Sequence, residues 1–230
     1  RDQHVDLAEN LCPMTGPVAQ TIVLIDISDP ISRTTQQDLL NHLQNTAAGV
    51  VEGGLFELRV LESGESKTKT LFTYCNPGDG ANLNELTGNR RLAKERWEQG
   101  FNAPLVAALT TSVASGDAAS SPLMGAIQEI VLDHMSRQAD RQIPAMLIVG
   151  SDLLEHTDLF SMYHSTPDFA AYKASPAATK YQTDLAGTSV ELWSINRPGT
   201  FTSAQISDFW AQWVIDNKGR FLRSVWIQGQ

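Results

Sequence analysis

Two uninterrupted apolar runs constrain the fold of this chain more than any other feature. TIVLI at Thr21 to Ile25 and AMLIVG at Ala145 to Gly150 are hydrophobic at every second position and at the positions between, and each stops at polar residues, Asp26-Ile27-Ser28 and Ser151-Asp152. A strand with no polar side must be covered on both faces, as in a parallel sheet flanked by helices. SVELWSI from Ser189 and FLRSVWIQ from Phe221 read as further strands. LFELRVLE and TKTLFTYC, joined by the short polar SGESK, form a hairpin that adds one antiparallel strand. Helical spacing lies between them. Leu39, Leu40, Leu43 and Ala47 follow Ser32 or Thr34 as candidate N-cap and end at Gly49, and helices are also expected over Arg90 to Gln99 and Pro104 to Ser115. Leu123, Ile127, Ile130, Val131 and Met135 share one face of a helix over Pro122 to Ala139, and TSAQISDFWAQWVIDNKG supplies the last helix, with Gly219 as its stop. The alternation predicts a doubly wound, mostly parallel six-stranded α/β sheet with one antiparallel strand and helices on both faces.

The 230 residues fit one domain, and 42% hydrophobic against 19% charged residues supports a sizeable core. Residues 1 to 20, with Pro13, Gly16 and Pro17, read as an N-terminal arm laid over a single domain at 21–230, which carries an insertion at about 153–188. That insertion mixes Tyr163, Phe169, Tyr172 and Tyr181 with Pro167 and Pro176. It is either a specificity loop at a ligand edge or a lid that packs down with no partner. Lys and Arg number 17 against 26 Asp and Glu, a net charge of −9 that repels polyphosphate, so no nucleic-acid partner is expected. The one basic cluster, Arg90, Arg91, Lys94 and Arg96, is interleaved with Glu95 and Glu98 in the manner of a solvated helix face. No apolar run approaches the roughly 20 residues that span a bilayer. Membrane association is expected only through an anchor upstream of Arg1.

Cys12 and Cys75 can form one disulfide or remain two buried thiols. The disulfide is favoured because Cys12 lies in the irregular CPMTGP segment and Cys75 ends a strand that can run beside it. If it forms, the compartment is oxidising and the protein extracytoplasmic, with the cytoplasm as the alternative.

In a doubly wound sheet, ligands bind at the carboxyl ends of the strands. Asp26, Ser28 and Asp29 after the first strand, Ser120 and Ser121 before a helix, and Ser151 and Asp152 after AMLIVG should meet there. Carboxylate and hydroxyl oxygens of this kind suit a hard cation, whose open coordination position accepts a partner's carboxylate. Taken singly, the same residues also read as caps: Asp26 and Ser28 for the first helix, Ser121 for the helix at Pro122, and Asp152 for its own loop.

On these residues the chain, over 21–228, resembles the von Willebrand factor type A domains, a Rossmann-like fold with a metal-ion-dependent adhesion site. That site uses a DxSxS motif after the first strand, a Thr from a later loop and an Asp after the fourth strand. Asp26 and Ser28 match the first two positions, Ser121 in SPLMGAI stands where the family commonly has Thr, and Asp152 in LIVGSD stands for the last Asp. The resemblance implies a non-enzymatic protein-binding module that holds Mg²⁺, or Mn²⁺ or Ca²⁺, on Asp26, Ser28, Ser121 and Asp152. Two departures mark the site as degenerate: Pro30 fills the third motif position without a side-chain oxygen, and Ser121 replaces Thr.

Two other classes are open. One is a metal-dependent phosphohydrolase with Asp26 as nucleophile, although Ser28 stands where such enzymes have a second acid. The other is a structural component of an envelope or secretion assembly with an inactive metal site. No GxSxG, GxxxxGK[ST], HExxH or GxGxxG motif occurs. His4, His42, His134, His156 and His164 lack metal-ligand spacing and read as surface or loop residues, while Trp193, Trp210, Trp213 and Trp226 read as core or its rim.

Overall fold

The computed structural model describes residues 6–27, 30–62, 66–83, 88–113, 120–135, 142–163, 166–195 and 203–228. Six strands, β1 (Gln20–Ile25), β2 (Leu55–Leu61), β3 (Thr68–Cys75), β4 (Ala145–Ser151), β5 (Ser189–Ile195) and β6 (Arg220–Ile227), form one sheet in the order β3-β2-β1-β4-β5-β6. β1 lies parallel between β2 and β4, β5 and β6 continue in parallel, and only β3 is antiparallel. This is the von Willebrand A-like architecture that the resemblance implied.

Side chains alternate across the pleat, so each apolar run serves two cores. Ile22, Leu24, Leu147, Val149 and Leu192 face one core, which they share with helices α4 (Leu123–Ile130) and α7 (Ser203–Asp216). Val23, Ile25, Ile148 and Trp193 face the other, packed on α1 (Arg33–Ala48) and α3 (Ala103–Ser112) through Leu39, Leu43, Leu105 and Leu109. The Ser32 hydroxyl accepts from Thr35 N at 3.1 Å and starts α1; Gly49 ends it.

Where two helices were expected after Arg90, α2 (Arg90–Trp97) runs through a π turn, Glu98–Asn102, directly into α3. The Ala103 amide bonds Glu98 O, five residues back, a local widening that buries Phe101 and eases the entry of Pro104, which has no amide to donate. α4 likewise passes into a π turn at Val131–Met135. Residues 136–139 of the expected helix lie outside the described residues, as do 114 and 115.

Within the insertion, Tyr172 and Tyr181 are packed down, while Tyr163 and Phe169 are half-buried. It contains α5 (Phe169–Ala174) and α6 (Pro176–Lys180), and Met162, Tyr172 and Tyr181 are buried against α7. Trp213 Nε1 donates to the Tyr172 hydroxyl at 3.0 Å, and Trp210 Nε1 donates to Leu153 O at 2.8 Å. Trp193, Trp210 and Trp213 lie in the core, and Trp226, 44% exposed on edge strand β6, lies outside it.

Cys12 and Cys75 are joined in a disulfide, and Cys75 N also donates to Asn10 O at 3.0 Å, so the arm is tied to the end of β3. The bond closes 63 residues of sequence. Restricting an unfolded loop of that length is worth about 4 kcal/mol in the chain-entropy model. Replacing both cysteines by Ser is therefore expected to lower the unfolding free energy by about 2–4 kcal/mol in urea titrations, and unreduced native protein should show no thiol by mass after alkylation.

Candidate functional site at the carboxyl edge of the central strands

The chain order reverses between β1 and β4, so the carboxyl ends of these strands are where a ligand crevice is expected in an open α/β sheet. Asp26 N donates to Gly150 O at 2.9 Å, which extends the ladder one residue beyond β1 and fixes Asp26 at the mouth of the crevice, 7% exposed. Ser121 is fully buried and held through its backbone: its N donates to His156 O at 3.2 Å, and His156 N donates to Ser121 O at 3.0 Å. The Ser121 hydroxyl is thereby turned to Asp26 and donates to its Oδ2 at 2.5 Å.

That bond corrects the capping reading of Ser121. The N-cap position of α4 is Pro122, which offers no side-chain bond, and the acceptor comes instead from the insertion. Glu155 Oε2 accepts from Met124 N at 2.9 Å, and the Leu123 amide also bonds this carboxyl. Glu155 is fully buried, and its Oε1 has no hydrogen-bond partner. Burial pushes its carboxyl up to about 8; the two amides oppose the rise, and the nearby charge of Asp26 adds to it. At neutral pH Glu155 is predominantly protonated.

Asp152 sits after β4 where the motif requires, but its Oδ1 accepts from Leu154 N at 3.0 Å and lies 3.4 Å from Ser151 Oγ. This oxygen braces its own loop, in line with the capping reading. Leu153 between them has φ of +60°, unusual for a side-chain-bearing residue, and is fixed by the Trp210 bond. Ser28 and Asp29 lie outside the described residues. Pro30 is exposed, and the Ser32 hydroxyl is taken up in capping α1.

His156 borders the crevice with its Nδ1 2.8 Å from Ser161 Oγ and its ring stacked on Tyr163 at 4.2 Å and 8°. His42 lies against Trp193, and His134 pairs with Glu57 at 3.3 Å. His4 and His164 lie outside the described residues. Among the described residues, no three His, Cys, Asp or Glu are grouped to hold a metal. The donors that do meet, a carboxylate and a hydroxyl, are of the type that fits a hard cation and not a thiophilic one.

Glu155 is the site residue that sequence reasoning missed. The available signal was a carboxylate directly after Leu153 and Leu154, both of which are buried.

No protein-family model matches the chain, and no curated protein matches it. Among solved structures it is similar to an aerotolerance-related membrane protein from Bacteroides fragilis, crystallised with multiple mutations to serines. The identity is 12% and the TM-score 0.39, covering 89% of this chain and 90% of that one. It is also similar to a von Willebrand factor type A protein from Catenulispora acidiphila, at 14% identity and a TM-score of 0.43, over 90% of this chain. The match spans 38% of that protein.

A carboxyl raised on folding keeps a proton that the unfolded chain releases above its ordinary value of 4.5. Glu155 should therefore make stability fall as pH rises from about 4.5 towards 8, by up to about 1.4 kcal/mol per pH unit. Glu155→Gln keeps an acceptor for Met124 N and does not titrate. Urea titrations between these pH values are expected to show a flatter profile for Glu155→Gln and higher stability than native at the alkaline end; parallel profiles would contradict the assignment.

Proposed function

We propose that this chain is a non-enzymatic protein-binding module whose partner docks at the crevice around Asp26, with a divalent cation as the bridge. The supporting observation is the Ser121 hydroxyl bonded to Asp26 Oδ2 at 2.5 Å, across 95 residues of sequence, where the sheet's chain order reverses. Two oxygen donors from distant segments, aligned before any partner arrives, form the nucleus of a preorganised site. Asp26, Ser121 and Asp152 would hold the ion, together with Ser28 beyond the described residues. When bound, Mg²⁺, or Mn²⁺ or Ca²⁺ in its place, supplies positive charge and an open coordination position for a carboxylate on the partner.

The chain's own residues set the rest. The His156 backbone holds Ser121 in place, the protonated Glu155 seats α4 behind it, and the His156–Tyr163 stack gives the partner a flat aromatic rim. The disulfide supports an extracytoplasmic location. No helix among the described residues is long and apolar enough to cross a membrane.

Isothermal titration with Mg²⁺ and with Mn²⁺ is expected to give saturable heat for the native chain and none for Asp26→Ala. Absence of heat from the native chain would sink the cation bridge and favour an inactive site in a structural assembly. Generic phosphoesters with Mg²⁺ are expected to give no turnover; metal-stimulated hydrolysis that disappears in Asp26→Asn would replace this reading with a phosphohydrolase.

A further inference from the structure

The segment that leaves β4, Asp152 to His156, carries three parts of the crevice in quick succession. Asp152 stands at the motif position, Glu155 accepts from Met124 N, and the His156 backbone is paired in both directions with Ser121. Where these groups lie is set by the path of the segment, and that path turns at Leu153, with φ of +60°. Among the described residues, the side-chain-bearing positions with positive φ are Leu11, Gln142, Leu153, Ala186 and Lys218, and of these only Leu153 is buried. A left-handed turn is unfavourable for any residue but glycine, so it persists only where the surroundings over-determine it. Glycine would adopt the turn freely, but the Leu153 side chain belongs to the core shared by α4 and α7.

Two of the bonds that hold the turn are local. Leu153 N donates to Ser151 Oγ at 3.0 Å, and Leu154 N donates to Asp152 Oδ1 at 3.0 Å. A third comes from α7, 57 residues along the chain, where Trp210 Nε1 donates to Leu153 O at 2.8 Å. The Trp210 ring is buried and meets Phe209 and Trp213 edge-on at 5.9 Å and 5.5 Å, so the direction of its N–H is fixed by packing. Without that donor a carbonyl in the core would have lost its partner, and the strained turn its only link to α7 among the bonds described.

We propose that Trp210 is a positioning residue for the Asp26 crevice, a role that rests on the crevice being the binding site. Its indole N–H holds Leu153 in the left-handed turn, and the turn sets Asp152 on one side and the Glu155 and His156 contacts on the other. Trp210 touches neither Asp26 nor the partner; it acts through the backbone of the segment. Loss of the N–H alone lets the turn relax, which moves Asp152 from its position and loosens the His156 clamp on Ser121.

The test compares Trp210→Phe with Trp213→Phe, which removes a second buried indole N–H from the same helix, donated at 3.0 Å to the Tyr172 hydroxyl in α5 and not to this segment. Amide hydrogen exchange by NMR, without metal, is read at Ser121, Met124, Leu154 and His156 relative to Val23 and Ile148 in the central strands, which reports local opening apart from global stability. In Trp210→Phe the four amides are expected to exchange about tenfold faster relative to the strands, as loss of one buried hydrogen bond dictates, and in Trp213→Phe the ratio should not change. If Trp210→Phe does not fold, Trp210→benzothienylalanine keeps the ring volume and lacks only the N–H. Mn²⁺ titration is expected to show about tenfold weaker binding for the position 210 variant and native affinity for Trp213→Phe. An unchanged exchange ratio in the position 210 variant, the same change in both variants, or Mn²⁺ binding of native affinity in the position 210 variant would each overturn the proposal. Absence of Mn²⁺ binding by the native chain would instead sink the cation reading, with amide exchange still deciding the role of Trp210.

Discussion

Strand β1 has a parallel neighbour on each side and a hydrophobic core on each face, and the rest of the molecule follows from satisfying those four contacts at once. Its backbone can pair only with β2 and β4, so the ladder runs to Asp26 N on Gly150 O. Its side chains can be covered only by helices on both faces, so α1 and α3 take one side and α4 and α7 the other. Asp26 is therefore placed by main-chain pairing and not by its own preferences. A carboxylate at this point keeps its position whatever the surrounding loops do, which is the property a binding site needs.

Helix α4 meets the sheet through apolar contacts and three polar devices along its length. Glu155 receives its first amides. At its middle, Glu129 Oε2 accepts from Thr68 N at 3.0 Å and Thr68 Oγ1 at 2.7 Å, and Arg59 bonds both Thr68 Oγ1 and the buried Glu57. At its π turn, His134 reaches the same Glu57. The buried members of this set, Glu57, Arg59 and Glu155, favour one arrangement strongly, because any other leaves a charge or an amide without a partner. The precision matters at Ser121, which immediately precedes the helix. Its hydroxyl meets Asp26 only if α4 is seated correctly, and the His156 pairing ties that seating to the insertion.

Much of this was legible in the sequence. Continuous apolar runs marked β1 and β4, a polar turn between alternating runs marked the hairpin, and Ser32 and Gly49 marked the ends of α1. Asp26 and Ser121 could be named because both follow or precede elements whose ends are readable. What lay hidden depends on tertiary contact. Glu155 has no motif, and its role exists only because burial and two helix amides surround it. The π turns change hydrogen bonding without changing apolar spacing. Tyr172 looks like a loop residue until Phe209 and Trp213 are packed against it. Asp152 has the right position, yet its oxygen is taken by the Leu154 amide, a bond that only the turn at Leu153 creates.

The protonation of Glu155 bears on how the Asp26 crevice can work. An ionised Glu155 would place a second negative charge near Asp26 in a site too buried for water to screen it, opposing the Asp26 carboxylate. As a neutral acid it still accepts from the amides of α4 but leaves Asp26 as the main local charge. Ser121 completes the arrangement: a hydroxyl that donates its hydrogen to Asp26 keeps its oxygen lone pairs for another partner. In the proposed cation-bridged mode, carboxylate and hydroxyl would face the ion together, and the acid behind them would contribute structure without competing for it. An ionised carboxylate at position 155 would accept from the α4 amides more strongly, which is why those amides oppose the rise. The neutral form is what allows one residue to cap the helix and leave the charge of the crevice to Asp26.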